Sequence, residues 1–138
     1  MKNAIKILLI LGTVFIIFIA GIGVTIYFFL IEDNDDPRSI DHMNKYSYET
    51  AELTTDLNDG KFVRVQFLMI TDGKKGLKEI EKRSFQIKNT VIKEISLMEE
   101  EDFKSGINEV EKTIKTELNK LMTDGEITDV YTTMKILQ

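Results

Sequence analysis

Few side chains in this sequence have the chemistry for a reaction, and their spacing does not gather them. The 138 residues include one histidine and no cysteine. That histidine, His42, stands beside Asp41 in the charged run 32–45, EDNDDPRSIDHMNK. A metal centre takes several converging ligands, and no second imidazole or thiolate exists to join it, so His42 reads as a solvated linker residue. A serine nucleophile needs a base in reach, and the same histidine is the only ordinary candidate. Carboxylates are plentiful, but they fall on polar helix faces or at helix ends, where solvation explains them better than acid–base work. The densest group, Glu99–Asp102 (EEED), lacks the glycine-containing loop that spaces calcium ligands. It stands just before a helical pattern, where the helix dipole favours acids. Asp72-Gly73-Lys74-Lys75-Gly76 has glycines and lysines without the spacing of a phosphate loop. No catalytic, cofactor-binding or metal-ligating residue is assigned, and the chain reads as non-enzymatic.

The element that organises the rest is Ile7–Ile31, 25 residues without a charge. About 20 apolar residues suffice to cross a bilayer as a helix, the form that leaves no backbone group exposed to lipid. A cleaved signal peptide is the alternative, but its apolar core is about 7–15 residues and ends at small residues. Here Ala20-Gly21-Ile22-Gly23 sits in the middle of the run. Lys2 and Lys6 precede the segment and Glu32, Asp33, Asp35 and Asp36 follow it, which keeps the N-terminus in the cytoplasm and sends residue 32 onward across the membrane. The run holds no ionisable residue, so it reads as an anchor and not as an ion or proton path.

The expected organisation is therefore a short cytoplasmic N-terminus (1–6), a transmembrane anchor (7–31), a tether (32–45) holding the only proline, Pro37, and an extracytoplasmic domain (46–138). Without Lys2 and Lys6 the rest of the chain has 16 basic against 23 acidic side chains, a formal charge of −7. Nucleic-acid binding rests on Lys and Arg neutralising phosphates, so nucleic acid is not a partner. About a hundred residues bury an ordinary core without disulfides.

Within the domain, Glu49–Leu57 alternates with Ala51, Leu53, Thr55 and Leu57 on one side, a strand pattern. Asn58-Asp59-Gly60 is a turn signal. Lys61–Thr71 follows as the strongest strand, with Val63, Val65, Phe67 and Met69 on one face, so the two read as a hairpin. Leu77, Ile80, Ile87, Val91, Ile95 and Met98 keep a helical period over residues 74–98, which fits one helix or two broken near Ser84-Phe85. Ile107, Val110, Ile114, Leu118 and Leu121 mark another amphipathic helix, closed by Asp124-Gly125 with glycine past its end. The last strand, Glu126–Leu137, sets Val130, Thr132, Met134 and Ile136 against Tyr131, Thr133, Lys135 and Leu137. Strands on both sides of a helical block give an α+β domain, an antiparallel sheet covered on one face by helices, with the last strand beside Lys61–Thr71.

Four segments carry a family resemblance: TTDLNDGKFVRVQF (Thr54–Phe67), FQIKNTVIKEIS (Phe85–Ser96), ELNKLM (Glu117–Met122) before a glycine turn, and DVYTTMKILQ (Asp129–Gln138). Through them residues 48–138 resemble the flagellar basal-body-associated FliL family, and the N-terminal anchor fits it too. The resemblance implies a single-pass protein of the inner or cytoplasmic membrane at the flagellar basal body. It also implies association with the stator proteins MotA and MotB in support of torque, motility and chemotaxis. The exterior domain would then resemble a stomatin-type SPFH domain and form a homo-oligomer, a ring around the stator's linker. The alternative is an anchored sensor that binds a small ligand or surface cue in a pocket of about 300–1,000 Å³.

Overall fold

The computed structural model describes residues 2–31 and 36–138, without the side chains of residues 2–5, 7–10 and 28–31. The chain divides into two units, Met1–Asp35 and Asp36–Gln138. The first contains α1, Lys2–Ile31. Its placed apolar side chains, from Leu11 to Tyr27, are exposed. The segment expected to cross the membrane is thus helical, yet among the described residues no helix is long and apolar enough to do so. Part of the expected tether, residues 32–35, lies outside the described residues.

In the second unit α2 (Ile40–Lys45) precedes three strand segments: β1 (Ser47–Glu49), β2 (Leu53–Asp56) and β3 (Phe62–Thr71). Then come α3 (Lys74–Lys82), α4 (Ser84–Ser96), α5 (Glu100–Ser105), α6 (Ile107–Asn119) and β4 (Ile127–Leu137). This is the expected α+β class, strands before and after a helical block, with α2 and α5 as added short helices; every strand is antiparallel to β3, and β4 lies beside it. Because β4 lies along one edge of β3 from Val63 to Thr71, β1 and β2 share the other edge. Gly60 turns the β2–β3 hairpin at φ 83°, the left-handed region that favours glycine.

The single strand expected over Glu49–Leu57 is broken. Glu49 pairs with Leu68 and Leu53 with Val65, so three residues of one strand face two of the other. Thr50 fills the gap: its N–H donates to the Phe67 carbonyl (2.9 Å) and its hydroxyl accepts from the Phe67 N–H (3.1 Å). On the opposite edge β4 shifts register at the same place, between Gln66 and Phe67, leaving Thr133 as the extra residue. Bulges on both flanks bend and twist the sheet at one point.

That shift also corrects the faces read for β4, because a one-residue slip turns over every following side chain. Val130 and Thr132 stand opposite Met69 and Phe67, as the alternation requires, but Lys135 and Leu137 then stand opposite Val65 and Val63. Met134 and Ile136 pair with Gln66 and Arg64 on the other face. Lys135 reaches the helix layer, where its ammonium lies 5.0 Å from the Phe103 ring centre and donates to the Lys104 carbonyl.

The core lies between this face and the helices. Val63, Val65, Phe67 and Met69 meet Ile80, Ile87, Val91, Ile95, Phe103, Val110, Ile114 and Leu118 in one cluster. Each such side chain fully buried stabilises by about 1.5–3 kcal/mol relative to exposure. The helical region 74–98 is two helices meeting at Arg83 (φ −96°, ψ 16°), which serves as cap residue to both; Ser84 opens the second and does not cap it. The acidic run Glu99–Asp102 starts a separate short helix, with Glu99 and Asp102 in a capping box. The following helix ends at Asn119, so Leu121 is 37% exposed and Met122 packs on the core in its place.

Candidate functional site

The residues singled out in the sequence do not converge. His42 is buried (3% exposed), capped into α2 by Ser39 and set edge-to-face on Tyr46 at 4.7 Å, which corrects its reading as a solvated linker residue. The apolar contact with Tyr46 encloses it, and Nδ1 has no hydrogen-bond partner. The acids at 99–102 serve α5: Glu100 pairs with Lys61 and Lys104, and its N–H bonds the Asp59 carboxylate at 3.2 Å. Among the described residues no group of three or more metal-ligating side chains is positioned to hold a metal.

The polar centre of the fold is a residue that the sequence reading passed over. Glu79, on α3, is 9% exposed and receives donors from three directions. The Thr123 N–H lies 2.9 and 3.0 Å from its two oxygens and the Asp124 N–H 2.7 Å from Oε2. The Thr123 hydroxyl is 3.1 Å away, and Arg83 Nε and Nη2 are at 2.9 and 2.6 Å. Burial pushes the carboxyl pKa up, but the Asp124 N–H, Arg83 and both Thr123 donors outweigh it and lower it to about 2. The i, i+4 spacing of Glu79 and Arg83 was legible as a helix pair. Nothing local pointed to Thr123 and Asp124, more than forty residues away.

Beside this carboxylate, α3 touches the 123–126 turn through two glycines. A Cβ on Gly125 would lie 2.6 Å from Gly76 Cα, and one on Gly76 would lie 2.6 Å from Asp72 Oδ1. Gly125 was expected just past the end of a helix, as its closing glycine. Among the described residues the only positive-φ glycine is Gly60, so Gly125 is required for close approach.

Helix α6 closes the outer edge of β4 with side chains spaced four apart. Glu111 accepts from the Thr132 N–H and hydroxyl, both at 2.7 Å. Lys115 donates to the Thr128 carbonyl at 2.5 Å. Asn119 makes both backbone bonds of Ile127, accepting at 2.7 Å and donating at 2.9 Å. These residues take the place of a neighbouring strand and remove a pairing edge.

Concavities lie on two parts of the described surface. One, about 260 Å³, lies between the Thr50–Glu52 bulge and the start of α4, with Phe85 on its rim. The other, about 590 Å³, runs along α3 past Lys75, Lys78, Lys82, Arg83 and Asp124. The sheet face opposite the core carries exposed Phe62, Tyr131 and Ile136.

Residues 47–138 match the family described as "Flagellar basal body-associated protein FliL". The chain is also similar to a curated "Flagellar protein FliL" of Bacillus subtilis (strain 168), 30% identical over 123 residues, which cover 86% of this chain and 88% of that protein.

Proposed function

The chain belongs to the flagellar basal body-associated FliL family, and on that premise we propose that it is a non-enzymatic, membrane-anchored scaffold of the flagellar motor that associates with the stator units and supports torque. The observation that carries this reading is the family match over residues 47–138, which hold all four strands and α3 to α6. It is supported by α1, whose exposed side chains from Leu11 to Tyr27 present a continuous apolar surface that would be costly in water. The Thr25 hydroxyl donates to the Gly21 and Ile22 carbonyls, at 3.1 and 2.8 Å, and so needs no water partner. The charge-free run extends from Ile7 to Ile31 in the sequence. In this reading the run crosses the cell membrane once, with the N-terminus cytoplasmic and residues 36–138 extracytoplasmic. That unit assembles with further copies around the stator proteins MotA and MotB.

An N-terminal fluorescent fusion imaged in live flagellated cells, with and without the stator genes, tests the reading. Fluorescent spots at flagellar bases that fade without stators are the expected result. Spots that persist would place the protein on the basal body independently of the stators. Uniform membrane fluorescence, with unchanged swimming under load after gene deletion, would overturn the proposal.

A further inference from the structure

We infer that the groove along α3 is a docking site for an acidic peptide segment of a partner protein. The first observation is where the free cations are. From Lys61 onward, Lys61, Arg64, Arg83, Lys104, Lys112 and Lys120 are paired with carboxylates. Lys115 and Lys135 are spent on backbone carbonyls. Among the described residues, Lys74, Lys75, Lys78 and Lys82 of α3 and Lys88 of α4 have no such partner, and Lys93 alone joins them further along α4. From Lys61 onward, the cationic charge left unneutralised among the described residues thus lies mainly on α3 and the first turns of α4.

The second observation is shape. Lys75, Lys78 and Lys82, at i, i+3 and i+7, share one side of α3 and line the 590 Å³ concavity with Arg83. Both oxygens of Glu79, the carboxylate beneath them, are already taken, so it does not compete for the lysines. Phe85 lines the same concavity and is 70% exposed, an apolar contact beside the charges. From Lys75 to Lys82 the helix rises about 10 Å. That is too far for the lysines to converge on one phosphate. It matches carboxylates spread along a peptide. A bilayer surface is flat and does not fill a concavity. The lysines and Phe85 together therefore select an extended or helical segment with several acids and one apolar side chain. The inference stands on this surface alone and does not depend on the flagellar reading.

The test uses the full chain in nanodiscs of uncharged lipid and a short fluorescein-labelled peptide. The peptide carries glutamates three and four residues apart around one leucine, and its glutamine counterpart is the control. Fluorescence anisotropy should show saturable binding of the glutamate peptide that weakens as salt rises through about 0.15 M. The triple variant Lys75→Glu/Lys78→Glu/Lys82→Glu should weaken it at least about tenfold, as the summed loss of three exposed ion pairs predicts. Lys78→Ala/Lys82→Ala, which removes two charges without reversing them, should weaken it less. Lys112→Glu/Lys120→Glu, on α6, should change it by under about twofold. Absence of saturable binding, equal binding of the glutamine peptide, or equal loss in the α6 variant would overturn the inference. So would displacement of the peptide by inorganic phosphate, or tighter binding to phosphatidylglycerol vesicles than to the peptide.

Discussion

Replacing Glu79 by glutamine should remove a pH-dependent part of the stability of residues 36–138. The carboxyl is lowered from 4.5 to about 2 in the folded protein. At about 1.4 kcal/mol per pKa unit, that difference corresponds to about 3 kcal/mol at neutral pH. A carboxyl whose folded pKa is depressed stabilises above its unfolded value and loses that contribution as pH falls through the folded value. The window therefore runs from about pH 5 down to about pH 2, and about 2 kcal/mol should already be gone at pH 3. Urea unfolding followed by circular dichroism at pH 7, 5 and 3 measures it. Glu79→Gln should be about 2–3 kcal/mol less stable at pH 7, since the amide accepts fewer of the Thr123, Asp124 and Arg83 donors and leaves one buried. At pH 3 the gap to the wild type should shrink to about 1 kcal/mol. A variant within about 0.5 kcal/mol of wild type at pH 7, or one with an unchanged gap at pH 3, would refute the assignment of Glu79 as the ionised centre of this contact.

Two further outcomes test the packing. Gly125→Ala should lower stability by about 2–3 kcal/mol, because the added methyl meets the Gly76 backbone, which cannot swing aside; the melting temperature of residues 36–138 reads it, and no drop would show that the two glycines are not in contact. Asn119→Ala should cost about 1–3 kcal/mol by orphaning both backbone groups of Ile127, and amide exchange at Ile127 should speed up well before exchange at Val65.

What the sequence determined by itself was everything set by local pattern. The alternation Val63, Val65, Phe67, Met69 marked the central strand, and its buried face is the one observed. The period through Ile80, Ile87, Val91 and Ile95 marked the helix face that meets it. Asn58-Asp59-Gly60 announced the turn because only glycine takes the required φ cheaply. The family segments were equally legible, being contiguous stretches of chain.

Tertiary structure alone decided what depends on partners distant in sequence. The bulge at Thr50 and its counterpart at Thr133 are properties of pairing with Gln66 and Phe67, so alternation read along one strand could not show that β4 turns over halfway. Glu79 looked like any acid on a helix until the 123–124 turn supplied its donors. Gly125 looked like a cap until Gly76 arrived against it. The α3 lysines were in sequence an ordinary charged helix face. They became a cationic groove only when the fold placed them along one concavity and joined cations such as Lys61 and Lys115 to a carboxylate or carbonyl.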